Sequence, residues 1–176
     1  MDSQKKHYLI TALTLGIITA ASAAIIGLTN MVTRDQIARN EENKINAGIV
    51  EIFGENAKKS GDQHNLENYK YVQYYYDVTN GTEQIGYAFR TSGSNMYGKI
   101  SLMVGFYYAT EAFKALSIVT NEQTYATTLV ENYINPVNEG TRVVEDVSCG
   151  ATYGARLVRD MIDECYTAMV EVIANG

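Results

Sequence analysis

The chain has 176 residues, which leaves room for one ordinary domain and little more. Its formal net charge is −6 and no basic stripe follows residue 34. This argues against a nucleic-acid binder, which needs clustered Lys and Arg to neutralise phosphates. Two cysteines, Cys149 and Cys165, are too few for a disulfide framework, and no CxxC pair suggests a metal site. If residues 152–165 are helical, that span rises roughly 20 Å. A bridge between the two cysteines is therefore not expected, since disulfide Cα atoms lie within about 7 Å. His7 and His64 are far apart in sequence, so Ser-His or Cys-His catalysis has no support.

Residues 7–33, "HYLITALTLGIITAASAAIIGLTNMVT", carry no Asp, Glu, Lys or Arg over 27 positions. About 20 apolar residues suffice to cross a bilayer as a helix. Ala21-Ser22-Ala23 resembles a signal-peptidase site, but the apolar run continues through Ile25-Ile26-Gly27-Leu28. We read residues 1–33 as an uncleaved transmembrane anchor, the protein being integral to the cell membrane by one helix. Lys5, Lys6 and the amino terminus precede the run, while Arg34 and Arg39 follow it among acidic residues. The bias favours a cytoplasmic N-terminus and a single-pass chain with its bulk outside. Gly16, Ala20, Ala21, Ser22, Ala23, Ala24 and Gly27 would allow close helix contacts in lipid. They suit either a lone anchor or a helix packed against other membrane subunits.

Residues 34–58 read as an amphipathic helical continuation, with Ile37, Ile45, Ile49, Ile52 and Phe53 at helical spacing. Gly54 and the polar "KKSGDQHN" end it. Residues 59–176 then form the remaining domain. Tyr69 to Val78 and Gln84 to Arg90 predict a hairpin around Asn80-Gly81. "SGSNMYG" reads as a loop, "KISLMVGFYY" as a third strand and "KALSIVT" as a fourth. "TYATTLVENYI" suggests a short helix closed by Pro136. Residues 151–174 predict an amphipathic helix, with Val158, Met161, Ile162, Cys165, Met169 and Ile173 on one face. An antiparallel sheet packed against helices makes the class α+β.

The segment "EDVSCGATYGARLV", residues 145–158, gathers small and polar residues at the mouth of that last helix. The first turn of a helix leaves unpaired N–H groups at a positive dipole end. Gly150 and Ala151 would let a phosphate approach them. The same residues also suit a tight turn with Thr152 as a helix cap, and the pattern alone does not separate the two.

Asp146 to Thr152, "DVSCGAT", resembles the flavinylation motif D-x-x-(S/T)-G-A-T of the FMN-binding domains of the Rnf and Nqr membrane complexes. In that family the last threonine carries FMN through a phosphoester bond that a separate flavin transferase makes. By position, the resemblance makes Thr152 the covalent FMN acceptor. Asp146 stands on the motif's aspartate, Cys149 on its Ser/Thr, and Gly150 and Ala151 on its small residues. Gly154-Ala155 follow where the family continues with Thr-Ser, so the nearby hydroxyls are Ser148, Thr152 and the phenol of Tyr153. "GSNMYGKISLMVGF" is similar to the family's glycine-rich segment, matched at Gly93, Tyr97 and Gly98. Of the later E-T-P-G-L-G signature only Glu122 is kept. The cofactor-binding set that the resemblance implies is thus Thr152, Ser148, Cys149, Gly150, Ala151, Asp146, Tyr97, Gly98 and Glu122. Cys149 reads either as a reactive thiol or as a small buried side chain in a serine's place. No catalytic or metal-ligating residues are expected.

The length is more similar to the G subunit of Rnf than to the longer C subunit of Nqr. The resemblance implies a membrane-anchored flavoprotein subunit with covalent FMN, a redox part of a larger enzyme. It would relay electrons within a ferredoxin:NAD oxidoreductase that translocates Na⁺ or H⁺. Its partners would be the other membrane subunits of an Rnf-type complex and, for maturation, the flavin transferase. The FMN domain would lie on the extracytoplasmic side. Two other readings remain open on the residues: a stand-alone extracytoplasmic FMN carrier, and a membrane-anchored binding or adaptor domain without cofactor.

Overall fold

A computed structural model describes residues 3–175 of the chain. The chain divides into two units, residues 1–43 and 44–176. A long helix, α1 (Ser3–Phe53), begins in the first and ends in the second. Met1, Asp2 and the side chain of Lys5, on which the expected orientation partly rests, lie outside the described residues.

In the first unit the apolar side chains of α1 are exposed, among them Leu9, Leu13, Ile17, Ile25 and Leu28. Its most apolar window has a mean hydropathy of 2.2, and among the described residues this is one helix long and apolar enough to cross a membrane. The hydroxyls of Thr11, Thr14, Thr19 and Thr29 each donate to the carbonyl four residues back, at 2.8–3.0 Å. A polar hydrogen inside hydrocarbon has no water to meet, so this back-bonding removes most of its cost.

The second unit is a five-stranded antiparallel meander, ordered β1-β2-β3-β4-β5. The strands are β1 (Ala57–Asn65), β2 (Val72–Asn80), β3 (Glu83–Asn95), β4 (Gly98–Tyr107) and β5 (Phe113–Asn121). Asn80 and Gly81, the latter at φ +69°, form the expected β2–β3 turn. On one face of the sheet Ile45, Ile49 and Ile52 of α1 cover Val78, Ala88 and Met103. On the other, Phe89, Leu102, Val104 and Phe106 meet the last helix, α4 (Thr152–Asn175), through Val158, Met161, Cys165 and Met169. The fold is therefore α+β, with the sheet between helical layers.

Three local readings change in the folded chain. "KKSGDQHN" is most of β1, an edge strand whose polar side chains face solvent; its partner β2, not its own hydrophobicity, makes it a strand. "SGSNMYG" is no loop but the end of β3, a tight turn and the start of β4, with pairing unbroken from Gly86↔Tyr107 to Asn95↔Gly98. Gly93 lies in that paired stretch because α4 crosses it: a Cβ there would stand 2.8 Å from Leu157 Cδ1. Pro136 does not close the helix before it. Residues Ala126–Leu129 (α2) pass through a π turn, Val130–Ile134, into α3, Asn135–Asn138. Proline lacks an N–H and collides with the carbonyl four residues back in a regular helix. The wider turn just before Pro136 relieves both conflicts. Ile173, expected on the buried face, is exposed near the end of α4.

Both cysteines are free and buried. Burial raises the Cys165 thiol well above its ordinary pKa. One polar clamp ties α4 to the sheet. The Glu164 carboxylate accepts the backbone N–H groups of Lys70 (2.7 Å), Tyr71 (2.5 Å) and Val72 (2.9 Å), at the entry to β2.

Candidate functional site

The start of α4 carries no side-chain cap. Ala155 N–H donates to the Ala151 carbonyl at 3.0 Å, so Ala151 holds the cap position and Thr152 is the first helical residue. Alanine has no oxygen to offer the first turn. The N–H groups of Thr152, Tyr153 and Gly154 therefore have no acceptor among the described residues, and neither does the Thr152 hydroxyl a partner. Thr152 as a helix cap is thus not what the fold builds. Gly150, at φ +80°, turns the chain into the helix in a backbone region that glycine enters without strain.

A cavity of about 340 Å³ opens on this helix start. That lies within the range of small-molecule and cofactor sites. The segment Gly150 to Gly154 makes one wall, Tyr97 of the β3–β4 turn a second, and Gln123, Tyr125 and Leu129 beyond β5 a third. Tyr97 is the hub of an aromatic cluster, with ring centroids 5.6 Å from Tyr125 and 5.5 Å from Tyr153. The three rings are tilted rather than stacked, which leaves faces open to a planar guest.

Hydrogen bonds hold the walls together. Asn95 Nδ2 donates to the Tyr153 carbonyl at 3.1 Å, while Asn95 Oδ1 accepts the Tyr97 N–H at 2.8 Å. Thr124 donates to the Tyr97 carbonyl from its N–H (2.8 Å) and its hydroxyl (3.1 Å). Gln123 Nε2 donates to the Gly98 carbonyl. Gly98, at φ +132°, touches the next strand so closely that a Cβ on it would stand 2.1 Å from the Glu122 carbonyl oxygen.

Of the residues expected from the sequence, Thr152, Gly150, Ala151 and Tyr97 line the cavity together. Gly98 lies directly behind its wall. Glu122 reaches the rim by its backbone, donating N–H to the Lys99 carbonyl at 2.8 Å, but its side chain is exposed and does not line the cavity. Asp146 and Ser148 are set back in the preceding loop. Asp146 Oδ1 accepts the Ser148 N–H at 3.2 Å, and Arg142 binds the Asp146 carboxylate (3.2 Å) and the Asp146 and Ser148 carbonyls (3.0 and 3.1 Å). Cys149 is buried in the core below, its carbonyl held by Asn132 Nδ2 at 3.2 Å; of its two readings, the buried side chain fits this position. Tyr133 braces the same loop by donating to the Val144 carbonyl at 2.5 Å, and burial raises its phenol pKa.

The sequence reading missed Gln123 and Tyr125, which stand next to Glu122 but gain their role only when the end of β5 meets the β3–β4 turn. The cavity lining holds no carboxylate, imidazole, amine or thiol. Among the described residues, no group of three or more His, Cys, Asp or Glu is placed to hold a metal. Such a site can bind and orient, but it has no acid–base pair of its own. Its uncapped helix start suits an anion joined to the Thr152 oxygen, and its tyrosine cluster suits a planar aromatic system. A nucleotide-like flavin offers both, so the residues present fit FMN.

No curated protein matches the chain. Residues 1–52, nearly the whole of α1, match the family model described as the RnfG N-terminal region. Over that stretch the chain is similar to the N-terminal region of RnfG-type subunits.

Proposed function

We propose that this protein carries FMN covalently bound through a phosphoester to Thr152 and relays electrons within an Rnf-type membrane complex. One observation carries the proposal: the Thr152 hydroxyl, without a partner, lines a cavity at the uncapped start of a 24-residue helix. The motif Asp146–Thr152 and the RnfG-type N-terminal region support it from two separate parts of the chain.

In this reading the N–H groups of Thr152, Tyr153 and Gly154 take over the phosphoryl oxygens, and the helix dipole stabilises their charge. The flavin supplies the redox chemistry, accepting and passing on electrons. The protein's part is to hold it. Tyr97, Tyr125 and Tyr153 would pack on the ring, and the loop pinned by Arg142 and Asn132 would fix the attachment point. The cavity offers no base to activate the Thr152 hydroxyl, which fits attachment by a separate flavin transferase rather than by the subunit itself. The α1 helix would anchor the chain beside the other membrane subunits, with its N-terminus in the cytoplasm and the flavin domain outside. Ferredoxin, NAD and the transported Na⁺ or H⁺ would be handled by those partners.

Intact mass under denaturing conditions tests the reading. Protein from cells that contain the flavin transferase should exceed its sequence mass by one FMN moiety, and Thr152→Ala should remove the excess. An unshifted wild-type mass would overturn it.

A further inference from the structure

Gln123 is a polar side chain, 6% exposed, in a cavity wall otherwise built of tyrosines, small residues and Leu129. A carboxamide has two N–H donors and one oxygen acceptor. One donor is used on the Gly98 carbonyl. That bond also settles which way round the amide lies, because a carbonyl can only accept. Oε1 therefore faces away from Gly98, towards the first turn of α4. Gly154 leaves room there: a Cβ on it would stand 3.5 Å from Gln123 Oε1. No donor among the described residues reaches Oε1. Oε1 is not itself sealed from solvent, so it opens on the cavity, where a ligand's donor can reach it. Its backbone is fixed as well, since Gln123 N–H donates to Asn121 Oδ1 at 3.1 Å.

We propose that Gln123 recognises the polar edge of the flavin ring. Oε1 accepts from the ring's imide N–H, and the remaining Nε2 hydrogen donates to a carbonyl flanking it. The inference rests on the flavin reading of the cavity and adds what selects a flavin there. Tyrosine faces receive any planar ring, whereas an acceptor fixed in the cavity wall disfavours a ring that lacks the matching donor.

The test uses the full-length Thr152→Ala protein in detergent, titrated with free FMN and with FMN methylated at the imide nitrogen, followed by fluorescence quenching. Methylation should weaken binding about tenfold, the value of one buried hydrogen bond. Gln123→Leu and Gln123→Met should weaken FMN by the same factor and abolish the difference between the two flavins. Equal affinities with Gln123 intact would overturn the proposal, and that comparison needs no change at Gln123. Intact mass of the wild type, measured alongside, separates the two ideas. A mass increment without discrimination removes the role of Gln123 alone. Discrimination without an increment removes the covalent bond alone. If free FMN fails to bind the Thr152→Ala protein, the covalently loaded chain decides: Gln123→Leu should keep the mass increment and shift the flavin's midpoint potential and absorption band. An increment with both unchanged overturns the role of Gln123.

Discussion

Replacing Gly98 by alanine probes the wall that joins the β3–β4 turn to the end of β5. The new Cβ would lie 2.1 Å from the Glu122 carbonyl oxygen and 2.8 Å from its carbonyl carbon. A carbon–oxygen contact tolerates about 3.3 Å, so the backbone of Glu122 must retreat by about 1 Å. Neither obstacle is a flexible side chain. The retreat breaks or stretches the Glu122 N–H bond to Lys99 O, the Thr124 N–H bond to Tyr97 O and the Gln123 bond to Gly98 O. At about 1 kcal/mol each these bonds total roughly 3 kcal/mol. Alanine held at φ +132° adds about 1–3 kcal/mol of backbone strain. The expected loss is therefore roughly 4–6 kcal/mol, a fall in Tm of about 12–25 °C for a domain of this size. Thermal unfolding of the full chain in detergent, followed by tyrosine circular dichroism, measures it. Because Tyr97 and Gln123 move with the wall, the FMN mass increment should also fall. A Tm within 2 °C of wild type would mean that the contact between Gly98 and Glu122 does not shape this wall.

Other outcomes follow from the same structure. Glu164→Gln replaces one of the two acceptor oxygens that hold the N–H groups of Lys70, Tyr71 and Val72, and should cost about 1.5–3 kcal/mol with faster hydrogen exchange at those three amides; unchanged exchange would refute the clamp. Burial, then the bond to Glu171, pushes the Tyr69 phenol up to about 12. A raised pKa favours the protonated phenol in the folded state. Its contribution is therefore complete below pH 10 and lost as pH rises towards 12. Tyr69→Phe should lower stability at pH 8 while flattening its decline over that alkaline range, read as Tm against pH. Arg142→Met should loosen the loop at Asp146 and Ser148 and slow flavin loading, seen as a partial mass increment, with Tm changed by only a few degrees; full loading at the wild-type rate would count against a guiding role for this loop.

What the sequence by itself determined was local. The uncharged run within α1, the β2–β3 turn at Asn80-Gly81 and the amphipathic face of α4 are periodicities and turn residues that neighbours along the chain specify. Thr152 at the head of α4 was legible for the same reason, and the motif around it named a cofactor. What only the tertiary structure decided was non-local. β1 is polar and becomes a strand because β2 offers it an edge. "SGSN" pairs because β4 runs beside it, under α4. Gln123 and Tyr125 have no signal in a segment that lost its family pattern, and they reach Tyr97 and Thr152 only because the meander brings the end of β5 against the β3–β4 turn. Hydrophobic pattern and turn chemistry act over a few residues, whereas a cavity is set by which distant segments the packed sheet and α4 bring together. "GAT" at residues 150–152 thus marks where a phosphate could be held, and the fold supplies the walls around it.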